Sequence, residues 1–294
     1  MNLVDWAGRH PRSLEAAIRL DRLPPVLWLL ATALVLWPTW DWMGARMLDR
    51  SDDPLGLLAL GALGLFAWQG RRSLRASPRL GLLSVAALGV LASSLLRVGG
   101  ALPPLATGLV AVLALACVLL AFLPHGQPAL PVLGLAVLAL PLLSSLQFYA
   151  GYPLRLVTAE AARWLLAPFF VVERAGSSLW IDGRLVIVDA PCSGVQMVWM
   201  GYFTACVVAL FMTRMDDRAF LRRLPVVGLV VLGGNVLRNA LLVGLEGAGH
   251  APGPLLHQAL GLALLAAVCG AIGRRMLRAA PQGLALGKDR HALA

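Results

Sequence analysis

Eight long apolar runs divide this 294-residue chain, and no other feature restricts its fold so strongly. They cover residues 24–40, 54–68, 80–96, 105–123, 130–148, 194–213, 224–245 and 255–273. A helix needs about 20 apolar residues to cross about 30 Å of hydrocarbon, so these runs predict transmembrane helices. The second run is the shortest and predicts a span that tilts little or re-enters. Composition agrees, since 59% of the residues are hydrophobic and 14% are charged, with a mean hydropathy of +0.77. One water-soluble core of this size cannot hide so much apolar surface. The expected fold class is an all-α integral membrane protein with about eight transmembrane helices. No small-residue cleavage site follows the first run, which is therefore read as a retained anchor.

The connections between the runs predict the topology. Residues 71–79 carry four arginines and no acid, residues 214–223 carry four arginines and two aspartates, and "RRMLR" follows the last run. Residues 41–54 instead hold four aspartates and two arginines, and residues 149–193 balance four arginines with four acids. Arginine-rich connections stay in the cytoplasm. Eight spans with both termini cytoplasmic satisfy every one of these assignments. The net charge of +10 thus reports topology, and no nucleic-acid partner is expected.

The resulting organisation is a cytoplasmic tail at 1–23, five spans within 24–148, an extracytoplasmic segment at 149–193, three spans within 194–273 and a cytoplasmic tail at 274–294. Within the extracytoplasmic segment, residues 156–172 keep apolar residues at helical spacing with Arg155, Glu160, Arg163 and Glu173 interspersed. That pattern predicts an amphipathic helix at the interface. After Gly176 the period changes, and two β-prone runs flank Asp182 and Gly183. This is a hairpin signal, because a type I′ turn needs positive φ at both central residues.

The hairpin leads to "APCSGV", residues 190–195. Cys117, Cys206 and Cys269 lie inside apolar runs, where a thiol packs as a small hydrophobe. Cys192 instead stands at the start of the sixth span, where unpaired backbone N–H groups and the helix dipole favour a thiolate. It is a candidate nucleophile, and the bland alternative is a small residue beginning a helix. In "LGGNVLRNALLVGLE" Arg238 lies between Asn235 and Asn239 inside the seventh span. An arginine there costs about 3 kcal/mol or more on insertion; it either binds something or snorkels toward the headgroups. His257, in "PGPLLHQALGLAL", falls in the first turn of the eighth span, at the same outer face, and His250 is its rival as a base. Cys192, His250 and His257 have no recognisable ligand spacing, so no metal or other cofactor is expected.

Three spans thus bring a thiol, a guanidinium and an imidazole to one membrane depth, which suits acyl transfer. A transporter or assembly factor for exported polysaccharide, with Arg238 binding an anionic substrate, is the alternative; it leaves Cys192 without a task. A serine hydrolase using Ser193 is less suited, because "PCSGV" lacks the flanking glycines of a G-x-S-x-G elbow.

The ordered set Cys192-Ser193-Gly194, Asn235 to Asn239 with Arg238 inside, and His257 to Gly261 resembles the exosortase/archaeosortase family of membrane transpeptidases. The resemblance is clearest over residues 159–273. It implies Cys192 as nucleophile, His257 as general acid/base and Arg238 as oxyanion stabiliser, with Ser193, Gly194, Asn235 and Asn239 in support. It also implies substrates that are exported proteins bearing a C-terminal sorting signal: a short motif often of Pro-Glu-Pro type, an apolar span and a basic tail. Cleavage would occur at the outer face of the cytoplasmic membrane through a thioester. Pro191, where the family often has alanine, and Gln196-Met197, where a serine commonly follows the motif, leave the subfamily unassigned.

Overall fold

The computed structural model describes residues 23–49, 54–100, 102–187, 193–213, 215–250 and 253–278. The chain divides into two compact units, Met1–Pro141 and Leu142–Ala294. The first holds α1 (Pro25–Val35), α2 (Trp37–Leu48), α3 (Gly56–Gly70), α4 (Leu80–Val98), α5 (Pro104–Phe122) and α6 (Leu130–Leu138). The second holds α7 (Leu143–Leu166), three strands β1 (Val172–Ala175), β2 (Ser178–Ile181) and β3 (Arg184–Ile187), then α8 (Val195–Val208), α9 (Asp217–Gly247) and α10 (Pro254–Leu277).

The protein is an all-α integral membrane protein with one small sheet. Among the described residues, α4, α5, α8 with its π-helical continuation Ala209–Thr213, α9 and α10 are long and apolar enough to cross a membrane. The pairs α1–α2 and α6–α7, bent by 65° and 95° at short breaks, raise that number from five to seven if each pair crosses as one span. The second apolar run forms α3, whose 15 residues reach only about 22 Å at 1.5 Å per residue. Length therefore supports five to seven spans, fewer than the eight runs suggest. The fifth run is broken at Pro141, which has no N–H to donate and disfavours helix in the residue before it.

In the first unit α4 and α5 pack closely. A Cβ on Gly89 of α4 would lie 2.9 Å from the Ala114 Cβ of α5, and the Ser93 hydroxyl donates to the Thr107 carbonyl at 3.1 Å. Small residues let apolar helices approach where lipid offers no hydrophobic drive between them.

In the second unit α7 runs well past the expected end of the fifth span, so the last residues of that span, 143–148, and the amphipathic segment are parts of one helix. It stops at Leu166, two residues before Pro168, rather than continuing to Val172. Val172 opens β1 instead, pairing antiparallel with Ile181 of β2. The hairpin expected around Asp182-Gly183 is present as β2–β3, with φ of 48° and 82° at those residues. Asp182 also ties the sheet to the chain before it, since the Val171 N–H donates to its carboxylate at 3.0 Å and its own N–H donates to the Val171 carbonyl at 3.0 Å. Ala159, Ala162 and Leu166 of α7, Leu179, Ile181 and Val186 of the sheet, and Ala240 and Val243 of α9 form one buried apolar cluster.

Helices α8, α9 and α10 close on one another through glycines. A Cβ on Gly201 of α8 would clash with Val231 of α9, and one on Gly234 of α9 with Val268 of α10. Helix α9 begins with a side-chain cap, the Asp216 carboxylate accepting from the Ala219 N–H at 2.6 Å, and ends at Gly249 with φ of 81°. There the His250 N–H donates to the Leu245 carbonyl and the Gly249 N–H to that of Glu246, the paired bonds of a Schellman end.

Candidate active site

The polar residues singled out in the sequence fall in the second unit, and two groups of them meet on α9. The first surrounds the start of α8. Ser193 is 2% exposed, and its hydroxyl donates to Gln147 Oε1 of α7 at 2.7 Å. Gly194 follows with φ of 86°, a left-handed conformation that an L side chain adopts only with strain. A Cβ there would also lie 2.6 Å from Nδ2 of Asn235. Both the torsion and the close approach therefore demand glycine. The Gly194 carbonyl then accepts the first α8 bond, from the Val198 N–H at 2.9 Å.

Asn235 holds this turn in place. Its Nδ2 donates to the Ser193 carbonyl at 3.3 Å and to the Thr158 hydroxyl of α7 at 3.2 Å. Asn239, one turn later, donates through Nδ2 to the Asn235 carbonyl at 2.9 Å. Asn235 and Asn239 are each 2% exposed and Thr158 is fully buried. Buried amides are placed by such bonds, so the two asparagines fix the turn that precedes α8. Cys192, the residue bonded to Ser193, lies outside the described residues.

The second group faces α10. Arg238 sits three residues beyond Asn235, about 4.5 Å along the α9 axis. Its Nη2 lies 3.5 Å from Nε2 of His257. At that separation the guanidinium and the imidazole face one another without a hydrogen bond of ordinary length. Gly261, one turn below His257 on the same face of α10, supplies the space, since a Cβ there would meet Arg238 Nε at 3.3 Å and Cζ at 3.5 Å. Arg238 Nε is buried, and among the described residues nothing accepts from it. The side chain thus reaches across to the neighbouring helix, with one buried N–H unpaired among the described residues.

His250 is exposed in the connection after α9, with Nδ1 3.1 Å from the Ala248 carbonyl. The structure brings His257, rather than His250, to Arg238. The sequence reading missed Gln147 and Thr158, the acceptors for Ser193 and Asn235. A polar and small-residue stripe, Gln147, Gly151, Thr158 and Ala162, lies on one face of α7 and marks them. It is visible only once residues 143–166 are read as one helix.

A protein-family model described as transmembrane exosortase matches residues 40–274. No curated protein and no solved structure matches the chain.

Proposed function

The chain belongs to the transmembrane exosortase family, and from that premise we propose that it is a membrane-embedded cysteine transpeptidase. Its substrates are exported proteins with a C-terminal sorting motif of the Pro-Glu-Pro type, an apolar span and a basic tail. It acts in the cytoplasmic membrane, with both termini cytoplasmic and the site facing outward.

The observation that carries this reading is the Arg238 guanidinium, held against His257 and Gly261 with a buried N–H to spare. In the proposed reaction His257 takes the Cys192 thiol proton and the thiolate attacks a backbone carbonyl carbon. The oxygen becomes an oxyanion, which Arg238 stabilises with a fixed positive charge in a water-poor site. As the C–N bond breaks, His257 returns the proton to the leaving amine, and a thioester remains. An amine or water then displaces the thiol. Asn235 and Gly194 serve as positioning residues, because they shape the turn beside Cys192. The serine alternative is disfavoured by the burial of Ser193 and by the donation of its hydroxyl to Gln147.

The test is Cys192→Ala. The variant should insert normally while substrate accumulates in its uncleaved, membrane-anchored form, and wild-type enzyme incubated with substrate should show a hydroxylamine-sensitive adduct on Cys192. Normal processing by Cys192→Ala would sink the reading.

A further inference from the structure

At the end of the helices far from Arg238, α9 and α10 enclose a cleft of about 440 Å³, within the size range of ligand sites. Its walls are apolar, formed by Val226 and Val230 of α9 and Ile272 of α10, and Arg223, Arg275 and Arg278 stand at it. A neighbouring cavity shares Arg275 and Arg278 and adds Arg274. Arg274, Arg275 and Arg278 are exposed, and among the described residues no carboxylate pairs with them. Of the two aspartates at the start of α9, Asp216 is engaged by the Ala219 N–H. The geometry points to a binding site for an anionic phospholipid, with the phosphodiester among the arginines and an acyl chain against the valines.

Charge complementarity selects this occupant. The following segment, residues 279–294, brings Lys288 and Arg290 against one acid, Asp289, so it does not complement the arginines. A free phosphate would satisfy the guanidinium groups and leave the apolar walls uncovered. An acyl chain covers them, and a basic pocket between transmembrane helices at the headgroup level is where anionic lipids are held. The site stands apart from the proposed reaction and does not depend on it.

The experiment is lipid titration of delipidated full-length protein in detergent, read by native mass spectrometry. Wild type should retain phosphatidylglycerol at least tenfold better than phosphatidylcholine. Arg275→Gln with Arg278→Gln should lose that preference by about fivefold per arginine, the scale of one surface cation acting on an anionic lipid. Val230→Trp, which fills the cleft and keeps every charge, should also lower phosphatidylglycerol retention. The same loss from Arg71→Gln with Arg72→Gln would mean diffuse attraction to any basic connection and overturn the site. Displacement of the lipid by inorganic phosphate at low millimolar concentration, or full retention by the double variant at 275 and 278, would overturn it as well.

Discussion

At the residue scale, Arg238 separates a catalyst from an ordinary membrane helix. An arginine that only reaches for headgroups can be replaced by lysine, whose stem is as long and whose insertion is similarly unfavourable. An oxyanion donor cannot, since the guanidinium offers several N–H groups in a rigid plane and an ammonium does not. Arg238→Lys should therefore lower turnover by about 10²-fold or more, the scale of losing one such donor, with insertion unchanged. The readout is the ratio of cleaved to uncleaved substrate. His257→Ala should lose at least as much, and the double variant should be little worse than the worse single, because members of one catalytic unit are not additive. Gly194→Ala should fail for a different reason. It places a Cβ 2.6 Å from the Asn235 amide at a φ of 86°, so the turn itself must move, and both thermal stability and processing should fall. Arg238, Asn235, Asn239 and His257 were legible because polar residues are rare and costly inside apolar runs. What Ser193 and Asn235 bond to was not legible, since their acceptors Gln147 and Thr158 lie 46 and 77 residues away along the chain.

At the scale of elements, hydropathy marked where helices lie but not where one stops and the next begins. The Asp182-Gly183 turn was readable because its backbone needs two positive φ values, and few residue pairs provide them. Strand β1 was not, because "VERA" continues the helical spacing of the residues before it; Pro168 and pairing with β2 override that pattern. Nor did composition alone reveal that α7 joins the end of the fifth apolar run to the segment beyond it. That continuity has an energetic consequence, since one face of α7 supports both the sheet and the turn before α8. Thr158→Val keeps the volume of a fully buried side chain and removes one acceptor of the Asn235 amide. It should cost about 1 kcal/mol, seen as a lower melting temperature of the purified protein, and Thr158→Ser should recover part of it. An unchanged melting temperature in Thr158→Val would mean that Asn235 is held without α7.

At the scale of the molecule, the proposed chemistry requires the connection carrying β1 to β3 and the start of α8 to face away from the cytoplasm. The arginine distribution is the physical reason to expect this orientation, because four arginines without an acid at 71–79 and four in 214–223 resist translocation. The prediction is a labelling pattern in intact cells, in a background where Cys117, Cys192, Cys206 and Cys269 are replaced. Glu173→Cys, exposed on β1, should react with a membrane-impermeant maleimide. Ser73→Cys, in the exposed connection after α3, and Arg222→Cys, exposed near the start of α9, should react only after the cells are lysed. The three sites also bear on the span count. Ser73 and Glu173 on opposite faces require an odd number of crossings between them, and α4, α5 and the α6–α7 pair supply three only if that broken pair crosses once. If the pair re-enters instead, Ser73 and Glu173 label from the same side. Glu173 and Arg222 flank α8, so labelling of both from outside would remove α8 as a span. Only the pattern of one outward and two inward sites keeps α6–α7 as a single crossing and leaves the turn before α8 where an exported substrate could reach it.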